Sequence, residues 1–176
     1  MPVAVKGAVA LRKSLRDFTP DLAKQLPKEM ALALKPVVKA ARGYAPSESQ
    51  TLSNWKPRAF NEGRFPTYNA SLVKRGIGYK TSPSKPDRRG FRSLARLFNK
   101  TAAGAIYEIA GRINPDSTFV KNIKGKYGSV MRGQNEMQGR VLYRAYEEDR
   151  GKAQDGVIKA IEKVTAKLNK RARVRG

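Results

Sequence analysis

A run of apolar side chains between residues 22 and 41 fixes the framework of this chain. Leu22, Leu26, Met30, Leu34, Val37, Val38 and Ala41 recur at spacings of three and four, which lines one face of an α-helix. Pro27 and Pro36 lie inside that stripe. Each removes a backbone donor, so the pattern predicts a kinked helix or a new helix start at Pro27. Upstream, Ala8, Leu11, Leu15 and Phe18 define a shorter helix of the same period. Thr19-Pro20-Asp21 reads as stop and restart: a capping hydroxyl, a proline at the first helical position, and an acid facing the positive helix end. Gly43-Tyr44-Ala45-Pro46 ends the run.

Beyond the helices the periodicity changes. Residues 47–69 are polar and broken by Pro57, Gly63 and Pro66, with Trp55, Phe60, Phe65 and Tyr68 as aromatic anchors of an extended loop. Residues 70–79 read as a strand. Ser82-Pro83-Ser84-Lys85-Pro86-Asp87 is turn chemistry. Phe91 to Phe98 alternates with period two and reads as a strand, with a short helix as its rival. Ala103 to Ile113 reads as a further strand in which Glu108 is the one carboxylate. A long basic stretch, 114–139, precedes Val141-Leu142-Tyr143, a short last strand or docking segment. Val157, Ile161, Val164 and Leu168 mark a closing helix, and 169–176 is a basic tail. The expected class is α+β: a small antiparallel sheet packed by N-terminal and C-terminal helices. The expected organisation is a single domain over 1–176, with long loop insertions at 47–69 and 114–139 and the tail at 169–176. These two loops and the tail are expected to be mobile in an isolated subunit.

Charge then narrows the function. Thirty-seven Lys and Arg stand against 14 Asp and Glu, a net +23, which calls for an anionic environment. Cysteine and histidine are both absent. That excludes disulfides, thiolate nucleophiles, Cys/His zinc sites and Ser-His-Asp triads, and removes the usual base of neutral-pH catalysis. Gly76-Ile77-Gly78-Tyr79-Lys80-Thr81 fails as a phosphate loop, because Tyr79 separates glycine from lysine and Val73 stands where the first glycine belongs. Glu147-Glu148-Asp149 point in different directions on a helix and read as the solvated first turn of the last helix. No catalytic, cofactor or metal site is therefore expected. No run of about 18 apolar residues suggests a membrane span, and Met1 to Lys6 does not read as a signal peptide.

The basic residues are the main signal. Lys74, Arg75, Lys80, Lys85, Arg88, Arg89, Arg92, Arg96 and Lys100 share their stretch with a single acid, Asp87. Lys74, Arg75, Arg88, Arg89, Arg92 and Arg96 form the candidate cluster facing DNA or an acidic partner, since a sheet and its adjoining loop can present them together. Glu108, in an apolar strand with basic neighbours, is expected to make a structural ion pair with an arginine. No helix-turn-helix spacing, zinc finger or RNA-recognition motif accompanies the charge, which favours backbone electrostatics over sequence readout.

Several segments together resemble the small neck and tail-completion proteins of long-tailed bacteriophages, the group of head–tail joining and minor-tail-protein-Z-like proteins. Gly7…Leu11…Leu15…Leu22…Leu26, running into Ala33-Leu34-Lys35-Pro36-Val37-Val38-Lys39-Ala40-Ala41-Arg42 and Tyr44-Ala45-Pro46, is similar to that family's opening helices. Residues 70–78 sit where its first strand follows a Ser/Thr-rich turn. Ala105-Ile106-Tyr107-Glu108-Ile109-Ala110-Gly111 resembles its strand with a central acid, and 141–160 its closing strand-to-helix passage. The resemblance implies a non-enzymatic structural virion protein, a homo-oligomeric ring, six copies around the tail axis. Its partners would be neighbouring neck, connector or tail-tube proteins, with double-stranded DNA in the axial channel. It would be assembled in the host cytoplasm and reside in the virion neck or upper tail. The alternative from charge alone is a nonspecific nucleic-acid-binding basic protein.

Overall fold

The computed structural model describes residues 7–47, 66–110, 113, 116–121, 131–132 and 138–175. Most of the two expected loop insertions, 47–69 and 114–139, lies outside the described residues. The described chain is 65% helix with small strand pairs, an α+β fold. In order, the elements are α1 (Ala8–Phe18), α2 (Pro20–Tyr44), α3 (Ala70–Gly76), β1 (Ile77–Lys80), β2 (Arg96–Asn99), α4 (Ala102–Ile109), α5 (Thr118–Lys121), β3 (Met131–Arg132), β4 (Gln138–Gly139), α6 (Leu142–Glu148) and α7 (Lys152–Arg175). β1 pairs with β2. β3 pairs antiparallel with β4, with Met131 opposite Gly139 and Arg132 opposite Gln138. Two compact units share the chain: Met1–Pro36, Tyr79–Arg96 and Gly151–Gly176 in one, Val37–Gly78 and Leu97–Arg150 in the other.

The first unit is helical. Leu15, Leu22, Leu26, Met30, Ile161 and Val164 form its core, with Leu94 and Ala95 packed against it. Thr19 alone joins α1 to α2. Its N–H donates to Leu15 O (2.9 Å) and closes α1, while its carbonyl accepts from Ala23 N (3.1 Å) and opens α2. Phe18 does not follow the expected stripe; its side chain is 73% exposed. The predicted restart at Pro27 does not occur, because α2 runs unbroken from Pro20 to Tyr44. Each internal proline forfeits one backbone hydrogen bond, at a cost of about 3 kcal/mol. Leu26, Met30, Leu34 and Val37 are buried on either side of the prolines, at about 1.5–3 kcal/mol per fully buried side chain, so burial outweighs the loss.

A polar rail joins α2 to α7. Arg171 pairs with Asp21 (2.7 Å), Lys167 Nζ donates to Gln25 Oε1 (3.0 Å), and Lys163 pairs with Glu29 (2.7 Å). The partners step by four residues up one helix and down the other, so the helices run antiparallel in one register. Further along, a Cβ on Gly156 would lie 2.6 Å from Ala33 Cβ, so the helices touch there without an intervening side chain. The rail also explains why α7 continues to Arg175, through the segment expected as a tail. Lys, Arg and Ala are good helix formers, cations suit a helix C-terminus, and Arg171 has a fixed partner.

The hydrogen bond from Arg171 holds the Asp21 carboxyl below its ordinary value, and those from Lys163 and Gln25 do the same for Glu29. A depressed carboxyl contributes stability above its unfolded value and loses it as pH falls through the folded one. Thermal unfolding followed by circular dichroism should therefore show a falling midpoint as pH drops below about 4.5, the unperturbed Glu value. The step should be small, since Asp21 is exposed and Glu29 only half-buried, and smaller still in molar salt.

Four strand expectations are corrected along the chain. Residues 70–76 form α3, because Asn69 Oδ1 accepts from Leu72 N (2.8 Å) and caps a helix; only Ile77 onward is extended. Residues 102–109 form α4, capped by Thr101 Oγ1 on Gly104 N (3.2 Å). Buried Ala103, Gly104 and Tyr107 follow a helical and not an alternating pattern. The strand predicted over 91–98 is confined to Arg96–Asn99, since Leu94 and Ala95, adjacent in sequence, both pack inward on the first unit's core. Leu142 opens α6, so 141–143 is no strand. Glu147 and Glu148 end α6, with Asp149 as its C-cap, instead of opening the last helix. Arg42 Nη2 and Nε clasp the carbonyl of buried Ile77 (2.8 and 3.2 Å), and Tyr68 Oη donates to Pro46 O (3.0 Å). Among the described residues no helix is long and apolar enough to cross a membrane.

Candidate functional site

The six predicted cluster residues are divided between the two compact units. Lys74 and Arg75 are exposed in the last turn of α3, in the second unit. Arg88, Arg89 and Arg92 are exposed on the connection between β1 and β2, in the first unit. Arg96 lies on β2, half-buried, and its Nε is buried with no hydrogen-bond partner among the described residues.

The connection is an ordered hairpin arm, built from the turn residues that the sequence displays. Ser84 N donates to Ser93 O (3.0 Å), and Ser93 N returns to Ser84 Oγ (2.9 Å). Nearer the tip, Asp87 N donates to Phe91 O (2.9 Å) and Gly90 N to Asp87 O (3.0 Å). The Asp87 carboxylate accepts from the amides of Arg89 (2.9 Å) and Phe91 (2.8 Å), an Asx-type closure. Gly90 takes φ +80°, which a side chain would strain, so this turn needs glycine. At the base Leu94 and Ala95 are seated on the helical core, and an Arg12 guanidinium nitrogen donates to Thr81 O. Burial pushes the Arg12 guanidinium down from its ordinary value, with Arg16 adding repulsion.

The arm thus presents Arg88, Arg89 and Arg92 outward, with Lys85 and Phe91 beside them; Phe91 is 63% exposed. Among the described residues none of the three arginines is ion-paired. One carboxylate oxygen of the arm's acid, Asp87 Oδ1, is taken up by its own backbone. Chemically this is a preformed set of forked cationic donors, suited to phosphate or carboxylate oxygens. The sequence located the arginines and the turn. It read Phe91 as the first residue of an alternating strand, and missed it as part of the exposed tip.

Glu108 serves elsewhere. Its Oε2 accepts from Val141 N (2.8 Å) and Leu142 N (3.0 Å), and its Oε1 from Tyr143 N (2.8 Å). These are amides at the start of α6, where Val141 offers no side-chain cap of its own, so Glu108 caps that helix from α4. Arg140 completes the junction. Fully buried, it donates through Nη1 to Tyr107 O (3.0 Å) and to Ala110 O, carbonyls at the end of α4, and its guanidinium lies 5.6 Å from the Tyr107 ring centroid. Burial pushes Arg140 down from its ordinary value, while Tyr107 and Glu108 pull it up. Burial pushes Tyr107 up, against Arg140 and Arg144. At Gly139 a Cβ would run into the Glu108 carboxylate and stand 2.7 Å from Tyr143 Cβ, so only glycine admits the acid. Glu108 is thereby structural, through backbone amides that the ion-pair expectation did not name. Sequence reasoning gave Arg140 no buried structural role, because its partners lie some 30 residues away.

Comparison of the chain with protein-family models, curated proteins and solved structures returns no match.

Proposed function

We propose that this chain is a structural subunit of a tailed-bacteriophage virion, forming a ring at the neck or upper tail and joining head to tail without catalysing a reaction. The family reading rests on the ordered resemblance of its segments, above all the opening helices. The observation that carries a connector role is the basic arm: an arginine-rich, exposed tip on a hydrogen-bonded stalk, anchored in a helical core and suited to an anionic neighbour. Large apolar side chains also remain exposed, Leu72 on α3 and Ile109 on α4 among them, as expected of a subunit that covers them on assembly.

Mass photometry of the purified chain should give a ring-sized particle, about six copies, and mass spectrometry of purified virions should detect the chain. A monomer or dimer absent from mature particles would sink the reading and leave a free nucleic-acid-binding protein. Converting Arg88, Arg89 and Arg92 to Gln should leave the circular dichroism spectrum unchanged and impair head–tail joining in an infection complementation assay. Arg96 is omitted because its half-buried side chain would confound folding with docking.

A further inference from the structure

We infer that the Ser84–Ser93 arm is a self-contained duplex-DNA contact, in which Arg88, Arg89 and Arg92 neutralise phosphates and Phe91 packs into the groove. This deepens the proposed connector role of the same arm by naming its partner. Three observations favour DNA over an acidic protein. All three tip cations are arginines, whose planar fork matches phosphate oxygens in pairs. An exposed aromatic stands directly beside Arg92, the juxtaposition that lets a side chain wedge against sugars and bases while its neighbours hold the backbone. The one acid of the arm has its carboxylate bound to the amides of Arg89 and Phe91, so it accompanies the turn and not the face. An interface for a folded acidic protein would be expected to mix both signs of charge at its rim.

The arm is also ordered before it binds. Its stalk and tip close on six backbone and side-chain bonds within ten residues, and its base is packed on the helical core. Little conformational entropy is then lost on docking, which is the usual cost of a basic loop.

The test is fluorescence anisotropy of a mixed-sequence duplex of roughly 30 base pairs titrated with the full chain across a salt series. Each lost phosphate contact lowers the log–log salt slope by about 0.9, so Arg88→Gln/Arg89→Gln/Arg92→Gln should lower it by about 2–3 and weaken binding on the order of a thousandfold at low salt. Phe91→Ala should weaken binding about five- to tenfold with the slope unchanged, because it removes packing and no charge. The control, Lys35→Gln/Lys170→Gln/Arg173→Gln, removes as many exposed cations from helices α2 and α7 and should change the slope by less than about 1. Equal losses for the arm and control variants would overturn the proposal, as would a Phe91→Ala variant that binds like the parent. Poly-glutamate bound as tightly as the duplex, with the same dependence on Phe91, would overturn it too. Ring assembly read by mass photometry is independent of all three arms, so a ring that lacks arm-dependent DNA binding would remove this inference and leave the connector reading standing.

Discussion

Glu108→Ala is expected to lower the unfolding free energy by about 3–5 kcal/mol, the usual range when one member of a buried charged network is removed. Three amides at the start of α6 lose their acceptor at once, and the buried Arg140 guanidinium loses the neighbouring negative charge that favours its ionised form. Glu108→Gln should cost less, about 1–3 kcal/mol, since one carbonyl oxygen remains while an NH2 group is turned towards donors. Arg140→Met strands the carbonyls of Tyr107 and Ala110 and should be comparably damaging to Glu108→Ala. Urea unfolding of the two single variants and the double variant checks the pair. Strong non-additivity is expected, because the two residues clasp the same two helix ends. If Glu108→Ala unfolds within 0.5 kcal/mol of the parent, roughly the scale of a neutral surface change, the capping role is wrong.

Gly156→Leu should be the most damaging single change on the α2–α7 seam, costing about 3 kcal/mol as an overpacked contact. A Cβ at this position already falls 2.6 Å from the Ala33 Cβ, and a methyl on a helix has no rotamer by which to retreat. Gly156→Ala combines opposite effects. It gains about 1 kcal/mol of helix propensity and loses about 1–3 kcal/mol to the clash. Pairing it with Ala33→Gly relocates the methyl from α2 to α7 and should restore most of the stability. A double variant no better than Gly156→Ala alone would show that the helices meet elsewhere. Differential scanning calorimetry would read the series.

The helical stripes were legible because each carries a long period with buried positions every three or four residues. Leu22, Leu26 and Met30 are all buried as their spacing requires, and Val157, Ile161, Val164 and Leu168 pack as a stripe should. The short central elements were not legible. Residues 70–76 and 102–109 are rich in the apolar residues that strands also use, and what decided them was a single capping side chain, Asn69 or Thr101. A cap is worth about 1 kcal/mol and is easily outvoted when apolar residues are counted. The arm was half legible. Asp87 and Gly90 signal a turn, but the outward placement of Phe91 depends on Leu94 and Ala95 reaching the core together, a tertiary fact. Arg140 was illegible, since a basic residue is buried only where distant carbonyls await it.

The Glu108–Arg140 clasp has a consequence for how this chain can change over generations. It brings the end of α4 and the start of α6 together by bonds that do not involve the residues between Ala110 and Gly139. Closing a longer excursion between fixed ends costs only about 0.6 kcal/mol for each doubling of its length. Residues can therefore be gained or lost between the two anchors, outside α5 and the β3–β4 pair, at little energetic cost, while Glu108, Gly139 and Arg140 must change together or not at all. Lineages of this protein should differ in length there first, and a foreign peptide or tag spliced into the same interval should leave both flanking helices in place.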